Sequence, residues 1–397
     1  MSETNLTFPF VDLRSRLRPD RWERLVQDDR QPRRVADRES IIKEVAAWLS
    51  RAQNATGGEG IVQFYHLQTG WSAACPETSG AAMTTLLLLA EKYSEGDAIE
   101  RATRLEPSLT TRHPSPSDQN PAAILSGNVS VEAWAILGWI GLYERTLNER
   151  FKTAAIEAGQ RLVEFRKREN RVMAFALPYK SIVAWALWRL IRLWPSESLR
   201  VAADVYGDSV VACVTPEGYL EGCISAGGAD PALIQIAQAL QGLFESGILA
   251  GQRRWISAAQ RGARRLLELY REKSTLAGRY GPGWRPDHSF NCMAGCAQTA
   301  FLWLRLYQFG LPEKYFDAAV RLTRFIASTV DTTNPDPGVR GGIRAGYPLW
   351  VDYHPLAYSA LAAKSALDAF LLEDKLTGAR MPIRQLRLKK PAPSRNS

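Results

Sequence analysis

The feature that most constrains the fold is a pattern repeated along the chain: a loop of polar and aromatic residues leads directly into an apolar helix. The first copy is YHLQTGWSAACPETSGAAMTTLLLL, which runs from Tyr65 to Leu89. We count about six copies, a periodicity typical of repeat architectures. The apolar helices are predicted to begin near residues 78, 129, 179, 232, 293 and 355. Helices with a charged face alternate with them, near residues 38, 98, 151, 198, 251 and 313.

A helix that is apolar nearly all round must be buried on every side, and an amphipathic helix covers it from outside. Six inner and six outer helices, spaced by roughly fifty to sixty residues, predict an all-α fold, the (α/α)6 toroid. An open solenoid is less favoured because terminal capping helices are not evident. No segment is predicted as a β-strand, since apolar residues follow helical spacing nearly throughout. We expect an N-terminal arm (1–37), the toroid (38–374) and a basic tail (375–397).

The expected ring also predicts where a functional site lies. Successive inner helices run in the same direction, so their N-termini gather at one end, and the loops that precede them line a common mouth. Helix N-termini carry partial positive charge and favour anionic groups. We therefore expect the site to be built from these loops and to favour anionic groups in its ligand.

Charge and cysteine content limit the partners and the compartment. The net charge of +9 is partly due to the end of the chain, where residues 380–395 carry six cations and no acid. This basic tail is predicted to be flexible and to touch a membrane surface or an acidic partner. No nucleic-acid motif accompanies the charge, so no nucleic-acid partner is expected. Five cysteines and the lack of a signal segment or an eighteen-residue apolar run favour a cytoplasmic, soluble protein.

Three stretches carry a resemblance to a known group of proteins. They are Tyr65, His66, Gly70, Trp71, Pro76, Glu77, Thr78 and Gly80; Cys292, Gly295, Ala297, Gln298 and 302–307; and 341–343 with Tyr347 and Pro348. This set resembles toroid proteins of bacterial exopolysaccharide clusters, described as prenyltransferase/squalene-oxidase-repeat-like. The resemblance implies a role in polysaccharide biosynthesis. The chain departs from the commoner YPETTGY pattern at Cys75, Ser79 and Ala81, so its ligand is expected to differ.

A weaker likeness concerns six-hairpin glycosidases and uronate C5-epimerases. It rests on Gly341-Gly342-Ile343 and on the aromatic and acidic run from Tyr347 to Pro355. What this likeness implies is a carbohydrate substrate and acid/base chemistry, as an analogy between folds.

Acids and histidines in the mouth loops are the candidate catalytic groups. Glycoside hydrolysis uses two carboxyl groups that flank one bond, and Glu77 with either Asp287 or Asp352 would supply such a pair. A neutral imidazole near pH 7 suits proton transfer. The alternatives are structural: Glu77 could cap its own helix, and the histidines could only hydrogen-bond a sugar. The predicted acid/base set is Glu77, Asp287, His288, Asp352, Tyr353 and His354.

Aromatic and basic residues in the same loops are the candidate substrate-binding groups. Trp71, Trp284 and Trp350 would stack on sugar rings. Arg285 and Arg344 would hold a carboxylate such as that of a uronic acid. Loop packing is the alternative for each of these residues. The predicted binding set is completed by Tyr65, His66, Asn128 and Tyr347.

No cofactor is expected, and zinc is kept as a less favoured alternative. Cys292, Cys296 and His288 have one-turn spacing across the start of an inner helix, a position that resembles the zinc site of lanthionine-cyclase toroids. Met293 stands where the adjacent Cys-His pair would need histidine. Small cysteines buried in a packed helix are the commoner case.

Three functional hypotheses follow. The first is a carbohydrate-active enzyme that acts by hydrolysis, elimination or epimerisation. The second is a non-catalytic toroid that binds a glycan or a protein partner. The third is a terpene-cyclase-like or zinc-dependent cyclase on the same scaffold, although the DxDD motif of class II terpene cyclases is absent.

Overall fold

The structure, a computed structural model, describes residues 36–93, 96–110, 121–168, 177–223 and 229–388. The predicted arm up to residue 35 and residues 389–397 of the predicted tail lie outside this range. The inner helices are α2 (Pro76–Tyr93), α5 (Pro121–Thr146), α7 (Leu177–Leu193), α9 (Leu233–Ala250), α11 (Met293–Gln308) and α13 (Ala360–Leu388). The outer helices are α1 (Arg38–Asn54), α3 (Gly96–Arg104) with the short α4 (Glu106–Thr110), α6 (Glu149–Arg168), α8 (Glu197–Val211), α10 (Arg253–Lys273) and α12 (Lys314–Ser328).

The inner helices form a closed ring. Each packs on the next in the order α2, α5, α7, α9, α11, α13, and α13 returns to pack on α2. Each outer helix packs against the inner layer. The predicted (α/α)6 toroid is thus confirmed, and the alternative of an open solenoid is wrong because the last repeat contacts the first.

Residue size explains how the inner helices approach one another. In α9 every residue from Ile236 to Gly247 is buried, whereas α10 buries only one face. Gly242 allows α9 to meet α7: a Cβ at this position would lie 2.7 Å from the Ser181 carbonyl carbon. Small residues along such a seam let helix backbones come close, and larger side chains on the flanks then fill the core.

Short strands line the mouth, so the prediction that the chain contains no β-strand was wrong. They are β1 (Phe64–His66), β2 (Gly70–Trp71), β3 (Arg279–Gly281), β4 (Arg285–Asp287), β5 (Asn291–Cys292), β6 (Gly346–Tyr347) and β7 (Ala357–Ser359). All pairings are antiparallel, in sheets ordered β2-β1-β7, β3-β4 and β5-β6. Strands of two or three residues are too short to show a period of two in the sequence. The β1–β7 pairing, with Phe64 opposite Ser359, also fastens the first repeat to the last.

Two helix boundaries differ from those expected. Helix α13 begins at Ala360 because the preceding residues pair in β7, and it continues to Leu388, so residues 375–388 of the predicted tail are helical. Helix α5 begins at Pro121 rather than near residue 129. In the described part of the chain no helix is both long and apolar enough to cross a membrane.

Candidate functional site

Glu77 lies in the first turn of α2, at the mouth of the ring, and reaches a neighbouring inner helix. Ser130 on α5 donates a hydrogen bond to Glu77 Oε1, with 2.7 Å between the oxygens. Gly80 makes this contact possible, because a Cβ there would lie 3.0 Å from the Cβ of Trp134 and would hold α2 away from α5. The hydrogen bond between Ser130 and Glu77 thus depends on Gly80, one turn after Glu77 in α2.

Burial dominates the electrostatics of Glu77. Loss of hydration raises the pKa of this carboxyl above its ordinary value, and the hydrogen bond from Ser130 opposes the shift without cancelling it. The residue as a whole is half-buried, and its carboxyl is enclosed at the start of α2. A raised pKa keeps a larger fraction of the carboxyl protonated near neutral pH, as a general acid requires.

Two further groups interact with Glu77. The negative charge of Glu77, followed by burial, raises the pKa of Tyr179 at the start of α7. Burial, followed by the charge of Glu77, raises the pKa of Cys75. We call Cys75, Glu77, Ser130 and Tyr179 the Glu77 cluster. Within the described residues, burial and Ser130 account for the shift of Glu77, so the structure presents it as a single acid with a phenol nearby.

A second group of residues lies where the last mouth loop meets β5. The Tyr353 ring stacks on Phe290, with 4.7 Å between centroids and 22° between planes. Cys292 Sγ donates to Tyr353 Oη at 3.5 Å, and the Arg279 guanidinium lies 5.6 Å from the centre of the tyrosine ring. His354 packs 4.8 Å from the Tyr353 ring. The Tyr353 cluster comprises Phe64, Arg279, Phe290, Cys292, Tyr353 and His354.

Tyr353 and His354 are both held in their neutral form. Burial, and then the neighbouring Cys292, raise the pKa of Tyr353 well above its usual range. Burial, and then the positive charge of Arg279, lower the pKa of His354. Phe64 covers one side of this imidazole, with 4.6 Å between ring centroids. A neutral imidazole at pH 7 can accept a proton, so His354 is suited to act as a base.

Asp287, His288 and Asp352, the remaining predicted acid/base residues, are exposed, and so is His354 despite the ring contacts on its imidazole. Burial alone would raise the pKa of Asp287, but hydrogen bonds from Ser289 and the positive charges of Arg279 and His288 outweigh it and lower the pKa. Ser289 donates its backbone N–H to Asp287 Oδ1 at 2.9 Å. His288 and Asp352 are exposed on the mouth loops. Asp287 is therefore ionised at neutral pH, and its pKa is shifted in the opposite direction from that of Glu77.

The predicted binding residues of the first mouth loop pack on one another. The Trp71 ring lies 4.8 Å from that of Tyr65 and 5.4 Å from that of Trp48. Tyr65 donates its hydroxyl to Asp336 Oδ2 at 2.8 Å, and burial and Asp336 raise its pKa to about 12. His66 accepts from the Gln68 N–H at its Nδ1, and burial lowers its pKa.

The remaining predicted binding residues are dispersed. Trp284 is only 3% exposed and donates its indole N–H to the Glu217 carbonyl at 3.2 Å. Arg344 is 2% exposed and donates to the Thr329 carbonyl inside the protein. Arg285 is exposed and pairs with Asp230 at 2.9 Å. Tyr347 and Trp350 are half-buried in the last mouth loop, and the side chain of Asn128 lies outside what the structure describes.

These placements have physical causes that the local sequence does not contain. Tyr219 and Tyr280 meet Trp284 edge-on, with centroids 5.5 and 5.6 Å away, and they draw its indole into the core. The Arg344 guanidinium is enclosed by the last repeat rather than offered to the mouth. Because both side chains are buried, Trp284 and Arg344 are not part of the ligand-binding set that we propose.

The described residues offer no metal centre. No group of three or more histidine, cysteine or acidic side chains in these ranges could hold a metal ion. Cys292 and Cys296 are fully buried, while His288 is exposed. Burial raises the pKa of both thiols, which disfavours the thiolate that zinc would bind.

A cavity of about 760 Å³ lies on the flank of the ring, between the mouth loops and α10. Its walls include Trp284, Glu217 and Glu221 from the loops and Arg261 and Arg265 from the helix. Neither Glu77 nor Tyr353 lines it. The flank cavity is therefore separate from both clusters, and its volume alone does not make it the site of chemistry.

Sequence reasoning missed Ser130, Tyr179 and Arg279. Tyr179 had a signal, because it stands at a predicted inner-helix start. Ser130 lies within an apolar helix, where a serine is usually a packing residue. Arg279 precedes Tyr280 in a glycine-rich loop, and its place beside Tyr353 depends on a contact between loops more than seventy residues apart in the chain.

No known protein family matches the sequence, and no curated protein matches it at a significant level. Solved structures do match the fold. A cellobiose 2-epimerase from Bacillus thermoamylovorans B4167 superposes with a TM-score of 0.64 at 11% identity, over 84% of this chain and 97% of that one. An unsaturated glucuronyl hydrolase from Bacillus sp. GL1 gives 0.65 at 15% identity, over 84% and 96%. A polysaccharide lyase gives 0.61 at 12% identity, over 90% and 100%.

These structures are toroids of the six-hairpin glycosidase type, and at such identities the likeness establishes the fold alone. The weaker of the two resemblances in the sequence, to six-hairpin glycosidases, is confirmed at this level of architecture. The resemblance to toroids of exopolysaccharide clusters has no counterpart among them.

Proposed function

We propose that the chain is a carbohydrate-active enzyme that transfers protons to and from an oligosaccharide or polysaccharide, with Glu77 as the proton donor. The observation that carries this proposal is the enclosed carboxyl of Glu77 at the mouth, with its raised pKa, its hydrogen bond to Ser130 and the phenol of Tyr179 beside it. A protonated carboxyl can protonate a leaving glycosidic oxygen or a sugar carbanion.

Fold likeness supports a saccharide as the substrate. The matching structures include a hydrolase for unsaturated glucuronyl groups, an epimerase for cellobiose and a polysaccharide lyase. These three chemistries share a need for an acid and a base on either side of one sugar carbon. We propose that this chain shares the need for an acid and a base. The reaction type stays open among hydrolysis, elimination and epimerisation.

His354 is the base in this proposal. Its neutral imidazole is held by Phe64 and Tyr353, and the same cluster places Arg279 nearby. A guanidinium beside a neutral histidine favours a substrate that brings its own carboxylate, so a uronic-acid-containing glycan is the preferred class. Asp287 and Asp352, exposed on the same loops, would bind sugar hydroxyls.

The cellular role is a further part of the proposal. The sequence resemblance to toroids of exopolysaccharide clusters favours a step in polysaccharide biosynthesis, and the cysteine content favours the cytoplasm. A non-catalytic, glycan-binding toroid is the second candidate, favoured by the finding that Glu77 interacts with no second carboxylate among the described residues.

The test is turnover of defined oligosaccharides, half of them with uronic acid and half neutral. Reducing ends, ultraviolet absorbance of unsaturated products and NMR of epimers would report the three reaction types. We expect one class to be turned over and Glu77→Gln to lose at least about a hundredfold in rate. Glu59→Gln, which changes an exposed acid in the same mouth loop, is the matched control and should retain full activity.

Two results would contradict the enzyme proposal. If both wild type and Glu77→Gln bind a glycan tightly and neither turns it over, the protein is a non-catalytic, glycan-binding toroid. Equal turnover by wild type and Glu77→Gln would remove Glu77 from the chemistry.

A further inference from the structure

A second cavity lies at the end of the ring opposite the mouth. Its volume is about 660 Å³, within the range usual for small-molecule sites. Its walls are formed by the second halves of α2, α7, α9 and α11 and by the middle of α13. Because inner helices begin at the mouth and end at the far side, this back cavity is on the axis but faces away from Glu77.

A buried ion pair lies on the side of the back cavity that is nearer the mouth. Lys364 Nζ lies 2.6 Å from Asp368 Oδ2, and these residues are 4% and 6% exposed. Thr85 donates to the other carboxylate oxygen of Asp368 at 2.7 Å. Asp368 lines the cavity, and Lys364 is one turn nearer the mouth, with its ammonium 5.0 Å from the Trp134 ring centre. The pair therefore forms the floor of the back cavity.

The charged residues around the cavity are already paired with one another. Arg305 holds Glu245 with two hydrogen bonds of 2.7 Å each. Lys92 pairs with Asp374 at 2.6 Å, and Lys375 with Glu91 at 3.2 Å. The fourth basic residue of the wall, Arg189, pairs with Glu144, which does not line the cavity, at 3.0 Å. Since each charge is compensated, the site offers no uncompensated charge to a charged ligand.

One polar group of the wall is left over. Gln241 is 5% exposed, lines the cavity and makes no side-chain hydrogen bond to any residue in the described ranges. Its amide atoms remain accessible within the cavity, so they can hydrogen-bond to a ligand that enters it. The apolar part of the wall includes Leu88, Trp185, Ile248 and Phe301, and the charged part consists of the paired residues described above.

We propose that the back cavity is a binding site for an uncharged amphipathic small molecule. Its apolar body packs against Trp185, Phe301 and Leu88, and its single polar group hydrogen-bonds to the amide of Gln241. The site is separate from the chemistry at the mouth and does not depend on the proposed enzymatic function.

The experiment is a titration of the full chain with Nile red, an uncharged dye with an apolar body and one carbonyl group. Expected results are saturable binding of one dye per chain and a blue shift of emission. Leu249→Trp, which adds an indole to the cavity wall, should weaken binding at least tenfold. Leu193→Trp, at the end of α7 but outside the cavity, is the matched control and should leave binding unchanged.

The role of Gln241 has its own variant. Gln241→Leu keeps the volume and removes the hydrogen bond, so binding of the dye should weaken about three- to tenfold. Leu249→Trp should retain any glycan turnover that wild type shows. Measuring both activities therefore distinguishes failure of the back-cavity proposal from failure of the proposed function at the mouth. Thermal melts would verify folding, with Leu372→Trp as the replacement if Leu249→Trp unfolds.

Three outcomes would overturn the proposal. They are the absence of saturable binding, equal binding by wild type and both cavity-filling variants, and tighter binding of the anionic dye anilinonaphthalene sulfonate than of Nile red.

Discussion

Ser130 Oγ and Glu77 Oε1 are 2.7 Å apart, so one hydrogen bond joins two neighbouring inner helices at the mouth of the ring. The bond stabilises the ionised carboxylate, while burial favours the protonated acid, and burial prevails. Ser130 therefore sets how far the pKa of Glu77 rises. This gives the serine a measurable positioning role without contact with the reacting atoms.

Ser130→Ala is expected to raise the pKa of Glu77 further, because only burial then acts on the carboxyl. If Glu77 must be protonated to act, the basic limb of the pH profile of kcat/KM moves to higher pH. Ser130→Thr keeps a hydroxyl and should leave the limb near its original place. An NMR titration of the Glu77 carboxyl gives the same information without a substrate, and a pKa that stays constant in Ser130→Ala would contradict the assignment.

Stability should depend on pH through the same residue. The folded-state pKa of Glu77 is raised, so in the window from about its ordinary value of 4.5 up to the folded value the native state binds more protons than the unfolded state. Stability therefore falls as pH rises through that window. Glu77→Gln removes the ionisable group, and we expect its thermal midpoint to exceed that of wild type at pH 8 and to approach it at pH 4.

The control for this measurement is Glu59→Gln, which changes an exposed carboxylate. Its difference in midpoint from wild type should be small and nearly independent of pH. A Glu77→Gln protein that is less stable than wild type at pH 8 would show that the ionised carboxylate stabilises the fold.

The helices could be predicted from the sequence because the spacing of apolar residues that indicates a helix is a local pattern. Apolar spacing in α9 predicts a helix beginning near residue 232, and the helix begins at Leu233. The position of Glu77 at the start of an inner helix could also be predicted from the sequence, because the PETSG run precedes an apolar segment. What the pattern could not supply is the partner of Glu77, since Ser130 lies 53 residues further along the chain.

Aromatic residues in loops show why the rest of the site was not predictable. Trp284 and Trp350 both stand in glycine- and aromatic-containing mouth loops, and nothing in the nearby sequence distinguishes them. Trp284 is nearly fully buried by Tyr219 and Tyr280, whereas Trp350 remains half-buried. Burial of a loop tryptophan depends on which other loops fold over it, and these tertiary contacts have no local signature.

Trp284 is thus expected to stabilise the protein rather than to bind sugar. Trp284→Ala removes a buried indole, its contacts with two tyrosines and its hydrogen bond to Glu217, at a cost of about 3–5 kcal/mol in the free energy of unfolding. KM for a glycan substrate should be unchanged at temperatures where the variant is folded. Trp350→Ala serves as the comparison, with little loss of stability and, if it stacks on sugar, a raised KM.

The ion pair between Lys364 and Asp368, at the floor of the back cavity, can be tested for its contribution to the free energy of unfolding. Asp368→Asn leaves the Lys364 ammonium, 4% exposed, without its counter-charge, and removal of one partner from a buried ion pair costs about 3–5 kcal/mol. The double variant Lys364→Met with Asp368→Leu replaces the pair by apolar groups and should recover most of that loss. Urea unfolding followed by circular dichroism would measure both changes.

Glu100→Gln breaks an exposed pair with Arg104 that has the same i,i+4 spacing, and it should change stability by less than about 0.5 kcal/mol. If Asp368→Asn were as mild as this control, water would have to reach Lys364 from the mouth or from the back cavity. The Lys364 ammonium would then not be sealed from solvent. The size of this effect therefore tests whether the ion pair closes the axis between the mouth and the back cavity.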